Sequence, residues 1–404
     1  LADLQGEYAT PAEVEAYRRF ANGYENYWKQ FIDPIGVQIR RSDDGHGLSL
    51  DARMLPLISG TDYDELLELV GSATLSPGTA HNGGQWSFGI GADAQLRREL
   101  GQLGRELMRN DSISFDWIGD WAMVGIIDNS GLWDLAMLSE AIPTTERPSI
   151  NIFEPQGAEI ISRAPVYAAI QFKSQLGLVT LLAALRSFIS GTAPGMVEWA
   201  ESTPYREIPV VQVSTRDAFS ISLYYAMPKD VFVLSLNRPA LEAFIDDVLD
   251  GRAPGNAKPG EGAPQTHLAV APSGPESWLS QTALGIFEDL SLRANEEASA
   301  SFEALARGLV DWPSEAAEQR ALALAYFGAE PAGAHGQPLS LDEHGLVTHP
   351  LYGTAAEPKL PAVPVKDSPL TKAVQGLELL SSGLAFEGEG LHRGLHVNLE
   401  WRRR

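Results

Sequence analysis

A unit of half-apolar strand, polar turn and amphipathic helix recurs three times in pattern along this chain. It starts near Trp86 (WSFGIGADAQLRRELGQLGREL), near Val166 (VYAAIQFKSQLGLVTLLAALRSFI) and near His267 (HLAVAPSGPESWLSQTALGIFEDL). Each copy switches from a side-chain period of two to one of 3.6, so each must place one sheet face and one helix stripe against a shared core. Strands elsewhere come in short-connected runs, which favour antiparallel pairing. The fold class expected is therefore α+β: tandem modules of antiparallel sheet packed against helices. Recurring modules with no shared catalytic constellation point to binding or scaffold architecture.

At 404 residues the chain is longer than one ordinary core. The expected division is an N-terminal α+β module (1–141), a central module of order β-α-β-β-β-α (142–250), a linker (251–266), and helices with β-hairpins (267–404). The linker, GRAPGNAKPGEGAPQ at Gly251–Gln265, is rich in Gly, Pro and Ala with no large apolar residue. A formal charge of −23 repels phosphate backbones and anionic lipid surfaces, so nucleic acid is excluded as a partner class. With no cysteine, disulfides, thiolate metal sites and thiol nucleophiles are absent together. The longest apolar stretch, Leu176–Ile189, is interrupted by Gly177, Thr180 and Arg186 and reads as a buried helix, not a transmembrane segment. Beginning at Leu1 without a signal pattern, the chain is expected to be processed or excised from something longer.

Local signals are dense. Thr10-Pro11-Ala12-Glu13 starts a helix, whose stripe of Val14, Tyr17, Ala21, Tyr24, Trp28 and Phe31 is expected to bury against the following hairpin. That hairpin pairs IGVQIR with LSLDARM across a loop containing Asp43-Asp44-Gly45. Thr61 is expected to cap a second helix, and Asn237 to cap PALEAFIDDVL. FDWIGDWAMVGII reads as a buried strand. IPVVQVS, FSISLYYAM and VFVLSLN read as three further strands, with helices expected over 275–292, 297–309 and 314–327. A terminal hairpin turns at Gly388-Glu389-Gly390, with Leu391, Leu395, Val397, Leu399 and Trp401 sharing one face.

Candidate sites are few. Gly89–Ala94 follows a strand and opens a helix, as a dinucleotide turn would, but the strand before it is only half-apolar; it is read as a glycine-rich connection. His335, His344 and His349 fall in one loop-rich stretch without an HExxH motif. His392 and His396 lie four apart on a strand, about 13 Å, too far to share one ion. Asp116, Trp117, Asp120 and Trp121 form the candidate binding surface: two indoles and two carboxylates could grip a sugar, although strand spacing sets the aspartates about 13 Å apart. Core tryptophans with edge aspartates are the plainer reading. No catalytic, cofactor-binding or metal-ligating residue is assigned.

The layout of 165–250 ending in VFVLSLNRPALEAFIDDVLDGR, with NYWKQFIDPIGVQIR and the terminal GLHVNLEWRRR, resembles an uncharacterised family of large exported bacterial proteins built from repeated α+β modules. The resemblance implies a periplasmic or extracellular place in the bacterial envelope and brings no catalytic residues. The function expected is non-enzymatic binding or assembly with a protein partner or further copies. An envelope hydrolase acting on glycan or peptide, and a carrier of lipid or another apolar ligand, stand as alternatives.

Overall fold

The computed structural model describes residues 10–28, 35–55, 68–69, 71–79, 82–92, 94–108, 115–138, 155–216, 221–256, 263–308, 313–328, 339–341, 346–354, 357, 359, 368–387 and 394–404. The expected helix at Thr61, the turn at 388–390, and His335, His344 and His392 lie outside these residues.

The chain opens with α1 (Pro11–Trp28), started as expected by a reciprocal cap. The backbone N–H of Thr10 donates to Glu13 Oε2 at 2.8 Å, and the Glu13 N–H donates back to Thr10 Oγ1. β1 (Ile35–Arg41) and β2 (Gly47–Met54) form the hairpin. Gly45 adopts φ +72° in its turn, and Asp44 accepts the His46 N–H at 2.8 Å. Val14, Tyr17 and Tyr24 of the expected α1 stripe are exposed and not buried against this hairpin; Phe31 and the side chain of Trp28 lie outside the described residues. Periodicity identified the apolar face of α1 without supplying a surface to cover it.

β3 (Leu75–Ser76), β4 (Gly83–Gly89), α2 (Gln95–Met108), β5 (Ile118–Ile127), α3 (Gly131–Leu138) and α4 (Pro155–Arg163) follow. Next come β6 (Val166–Phe172), α5 (Gln175–Thr192), β7 (Val197–Tyr205), β8 (Ile208–Thr215), β9 (Ser222–Ala226), β10 (Val231–Ser235) and α6 (Arg238–Leu249). The chain ends with β11 (Gly255–Asn256), β12 (Thr266–Ala271), α7 (Trp278–Gly308), α8 (Ala316–Phe327), β13 (Ser340–Leu341), β14 (Val347–Thr348), α9 (Pro369–Gln375), β15 (Leu377–Glu387) and β16 (Gly394–Arg403).

Twelve strands join one antiparallel sheet in the order β1-β2-β16-β15-β12-β4-β5-β6-β10-β9-β8-β7. All three expected modules contribute to it, and the linker contributes β11, which pairs with β3. The class is α+β, as the short-connected strands implied. The central module holds one strand more than expected: β7, whose VEWAESTPY was missed because an edge strand buries little and so shows little apolar alternation. The helices expected over 275–292 and 297–309 are one continuous helix, α7. No Pro or Gly lies between those two segments to break it. Asp128 anchors its start by accepting the Leu279 N–H at 2.7 Å, and at Gly285 a Cβ would come within 2.4 Å of the Trp133 ring on α3.

The sheet's two faces are treated differently. α6 lies on one of them: Leu241, Phe244, Ile245 and Val248 pack on Tyr167, Val231, Val233 and Val210, all buried. Asn237 caps this helix as expected, accepting the Ala240 N–H. On the opposite face α5, with α2, covers only one end, where Leu178, Leu181 and Leu182 meet Phe172, Ile170 and Phe232. Contrary to the expected buried helix, only Leu178 of α5 is fully buried. Among the described residues α5 alone is long and apolar enough to span a membrane, at 18 residues and mean hydropathy 1.2. One such helix is weak evidence for a membrane span, and no clear transmembrane segment is shown.

Candidate functional site

The aromatic and acidic cluster is split by the sheet. Trp117, in the turn before β5, is 7% exposed and joins the core beneath α5; Trp121 is 2% exposed and joins the core beneath α6. Both indoles are therefore packing residues on opposite faces, and the exposed remainder is Asp116 and the half-buried Asp120. Asp120 accepts from Lys173 Nζ at 2.5 Å and lies 3.9 Å from Arg97.

Arg97, on α2, closes the glycine-rich connection between β4 and α2. Its guanidinium donates to the carbonyls of Ile90 (2.9 Å), Gly91 (3.2 Å), Ile118 (2.8 Å) and Gly119 (2.6 Å). At Gly89 a Cβ would stand 2.2 Å from the Ala73 carbonyl oxygen, so only glycine lets the chain pass. A cation thus fills the turn where a dinucleotide would need open N–H groups.

A cleft of about 340 Å³ lies between the β4–β5 edge and α6, with Asp128, Tyr167, Asp246, Asp247 and Arg252 on its walls. Its carboxylates are already engaged. Arg252 meets Asp247 at 2.8 Å, Arg206 and the Tyr205 hydroxyl hold Asp246 at 2.7 and 2.9 Å, and Asp128 caps α7. Donating to Asp246 raises the Tyr205 pKa, since the bond favours the neutral phenol. Burial, then the charge of Asp247, raises that of Tyr167. Asp250, beside the cleft, is held below the usual carboxylate range, first by Arg206. The network is suited to fixing α6 on the sheet and offers no unengaged general base. Among the described residues no group of three or more His, Asp or Glu side chains is arranged to hold a metal ion. His349 is buried, and its Nδ1 accepts the Leu351 N–H at 3.1 Å; His396 pairs with Asp51 at 2.9 Å.

Among the described residues the sheet also presents an apolar surface. One row of directly opposed residues crosses every strand on the face opposite α6, which α5 covers in part. It begins Ile39, Leu50, Leu399, Ser382, Leu268 and Trp86. It continues Val124, Ala168, Leu234, Tyr225, Val211 and ends at Glu201. Only Ser382 and Glu201 interrupt it. No member of this row is buried: Ile39 is 67% exposed, Trp86 52% and Leu268 45%, while Leu50, Ser382, Ala168, Leu234, Tyr225 and Val211 are half-buried. The residues one position away on the other face, Met123, Ala169, Val233 and Ala226, are all buried. A contiguous apolar strip of this kind is a candidate interaction surface, because isolated exposed apolar residues are ordinary but a continuous run is not. The sequence hinted at it through alternation in the terminal hairpin. The row itself comes from pairing residues as distant as Leu50 and Leu399.

His267, beside Leu268, points away from the row, and burial holds its pKa below 6.5. The fold therefore favours neutral imidazole while the unfolded chain takes up a proton near pH 6.5, so this contribution is complete above that pH and is lost as pH falls below it. Urea midpoints at pH 7.5 and 5.5 should show that loss, and His267→Gln should reduce it; an equal pH response in the variant would assign the loss elsewhere.

Comparison with protein-family models, with curated proteins and with solved structures yields no match.

Proposed function

We propose that this chain is a non-enzymatic binding and assembly protein of the bacterial envelope, periplasmic or extracellular, that works through the open row on its sheet. The observation that carries the reading is that row: apolar from Ile39 to Val211 apart from Ser382, and nowhere buried. Covering apolar area yields roughly 25 cal/mol per Å², so a partner that seats on the strip gains directly from doing so. With a charge of −23, a protein surface or a further copy fits better than nucleic acid. The hydrolase reading has less support, because the carboxylates of the cleft are tied to cations, a phenol or a helix start. The carrier reading would need an enclosed apolar volume, whereas the cleft is lined by Asp128, Asp246, Asp247 and Arg252.

A dye that fluoresces on apolar surfaces, bis-ANS, should bind the native protein. Trp86→Asp combined with Leu268→Lys should cut its signal at least about fivefold while leaving the urea midpoint nearly unchanged, since exposed positions shift stability by only about 0.5 kcal/mol. Native protein that leaves the dye dark, or variants that bind it undiminished, would overturn the reading.

A further inference from the structure

The two edges of the sheet are unlike each other and complementary. β1 is exposed along its whole length, pairs with β2 without a bulge, and contains no proline and no acid; it carries Arg40 and Arg41. Natural edge strands are usually blunted by an inward charge, a bulge or a proline. On β1 the side chains sharing the face of the row are Ile35, Val37 and Ile39 up to Arg41, so this edge is left open for pairing. β7, at the other edge, carries Glu198 and Glu201 and no base. Its proline, Pro204, and its register shift between Ser202 and Tyr205 lie at one end, leaving Val197–Ser202 regular.

Strand parity adds a geometric condition. Every neighbouring pair in the twelve-stranded sheet is antiparallel, so β1 and β7 run in opposite directions. A second copy set beside the first in the same orientation therefore brings its β7 antiparallel to β1 with the same face outward. The row runs from Ile39 to Glu201, so odd-numbered residues of both edges share that face. A register with Arg40 opposite Glu198 sets Ile39 opposite Trp199, an apolar pair two residues along β7 from Glu201, where the row ends. Glu198 is held by Arg216 at 3.3 Å, an exposed pair weak enough to be shared.

We propose that copies of this chain join by pairing β1 of one copy with β7 of the next, in an open head-to-tail series. The proposal rests on the assembly reading above and names its partner. Backbone groups on the outer side of each edge strand supply the hydrogen bonds, and the arginines and glutamates select the unlike edge. A contact between two different surfaces does not close by two-fold symmetry, and sheet twist of about 20–25° per strand turns each added copy, giving a helical series.

Sedimentation velocity of the whole chain at about 0.15 M salt, a roughly physiological ionic strength, tests this over a hundredfold range of concentration. The expected result is a distribution whose mean mass keeps growing with concentration. Val37→Lys should hold the protein at one chain mass, with melting temperature preserved because Val37 is exposed, and with most bis-ANS binding kept because Trp86 and Leu268, on distant strands of the row, are unchanged. Arg40→Glu and Glu198→Arg should each weaken growth at least about tenfold, and mixing these two variants in equal amounts should restore it. A native protein that stays at one chain mass, one that stops at a dimer, or growth indifferent to Val37→Lys would overturn edge pairing. Dye binding by a strictly monomeric native protein would sink this proposal and leave the apolar-row reading standing; growth without dye binding would do the reverse.

Discussion

Phe244→Ala should destabilise the protein by about 3–5 kcal/mol, the usual range for a buried aromatic truncated in a packed core. Phe244 is fully enclosed, and its ring stacks on Tyr167 with centroids 4.8 Å apart. It joins α6 to β6 and, through Val233 and Val210, to strands that reach the β7 edge. Because α6 is the layer that seals this face, the cavity would open between helix and sheet, where both neighbours are held and cannot collapse into it. Urea denaturation of the two proteins side by side provides the measurement. A loss below about 1 kcal/mol would mean that α6 is not anchored as the structure has it.

Arg97→Ala should cost about 2–4 kcal/mol, from the loss of charge-assisted bonds to four carbonyl oxygens that the fold keeps away from water. The side chain is only 15% exposed, so solvent does little to replace it. Arg97→Lys should recover only part of the loss. A lysine ammonium has three donors around one point, whereas the guanidinium reaches Ile90, Gly91, Ile118 and Gly119 from a planar fork. If lysine restored full stability in the same denaturation series, the arginine would be acting through charge alone, toward Asp120 at 3.9 Å, and the carbonyl bonds would carry no weight.

Features governed by neighbours in sequence were legible without the structure. The Thr10–Glu13 cap, the Asn237 cap, the turn at Gly45 and the antiparallel run from β8 to β10 each depend on residues a few positions apart. The glycine-rich turn at 89–94 was recognisable as a strand-to-helix connection, but Arg97 as the group that fills it was not. Its partners include Ile118 and Gly119, more than twenty residues away. The indoles of Trp117 and Trp121 were visible as a cluster, yet their division between two cores depends on helices that arrive much later in the chain.

Exposure was the least legible property. The alternation of β1 and the stripe of α1 are indistinguishable in sequence from patterns that bury themselves, and in the folded chain β1 and Val14, Tyr17 and Tyr24 of α1 stay exposed. Missing β7 and dividing α7 in two have the opposite cause. An edge strand shows weak alternation, and a long helix that packs on different neighbours along its length shows no single stripe. Thus the sequence by itself determined the α+β class, the caps, the turns and which residues alternate, because these depend on dihedral preference and side-chain period. The tertiary structure alone decided that twelve strands form one sheet, that α6 seals one face while on the other, covered in part by α5, Ile39, Leu399, Leu268, Trp86 and Val124 stay exposed, and that β1 and β7 become its edges. These outcomes depend on pairings between residues hundreds of positions apart, and an apolar side chain reads the same in sequence whether or not anything comes to cover it.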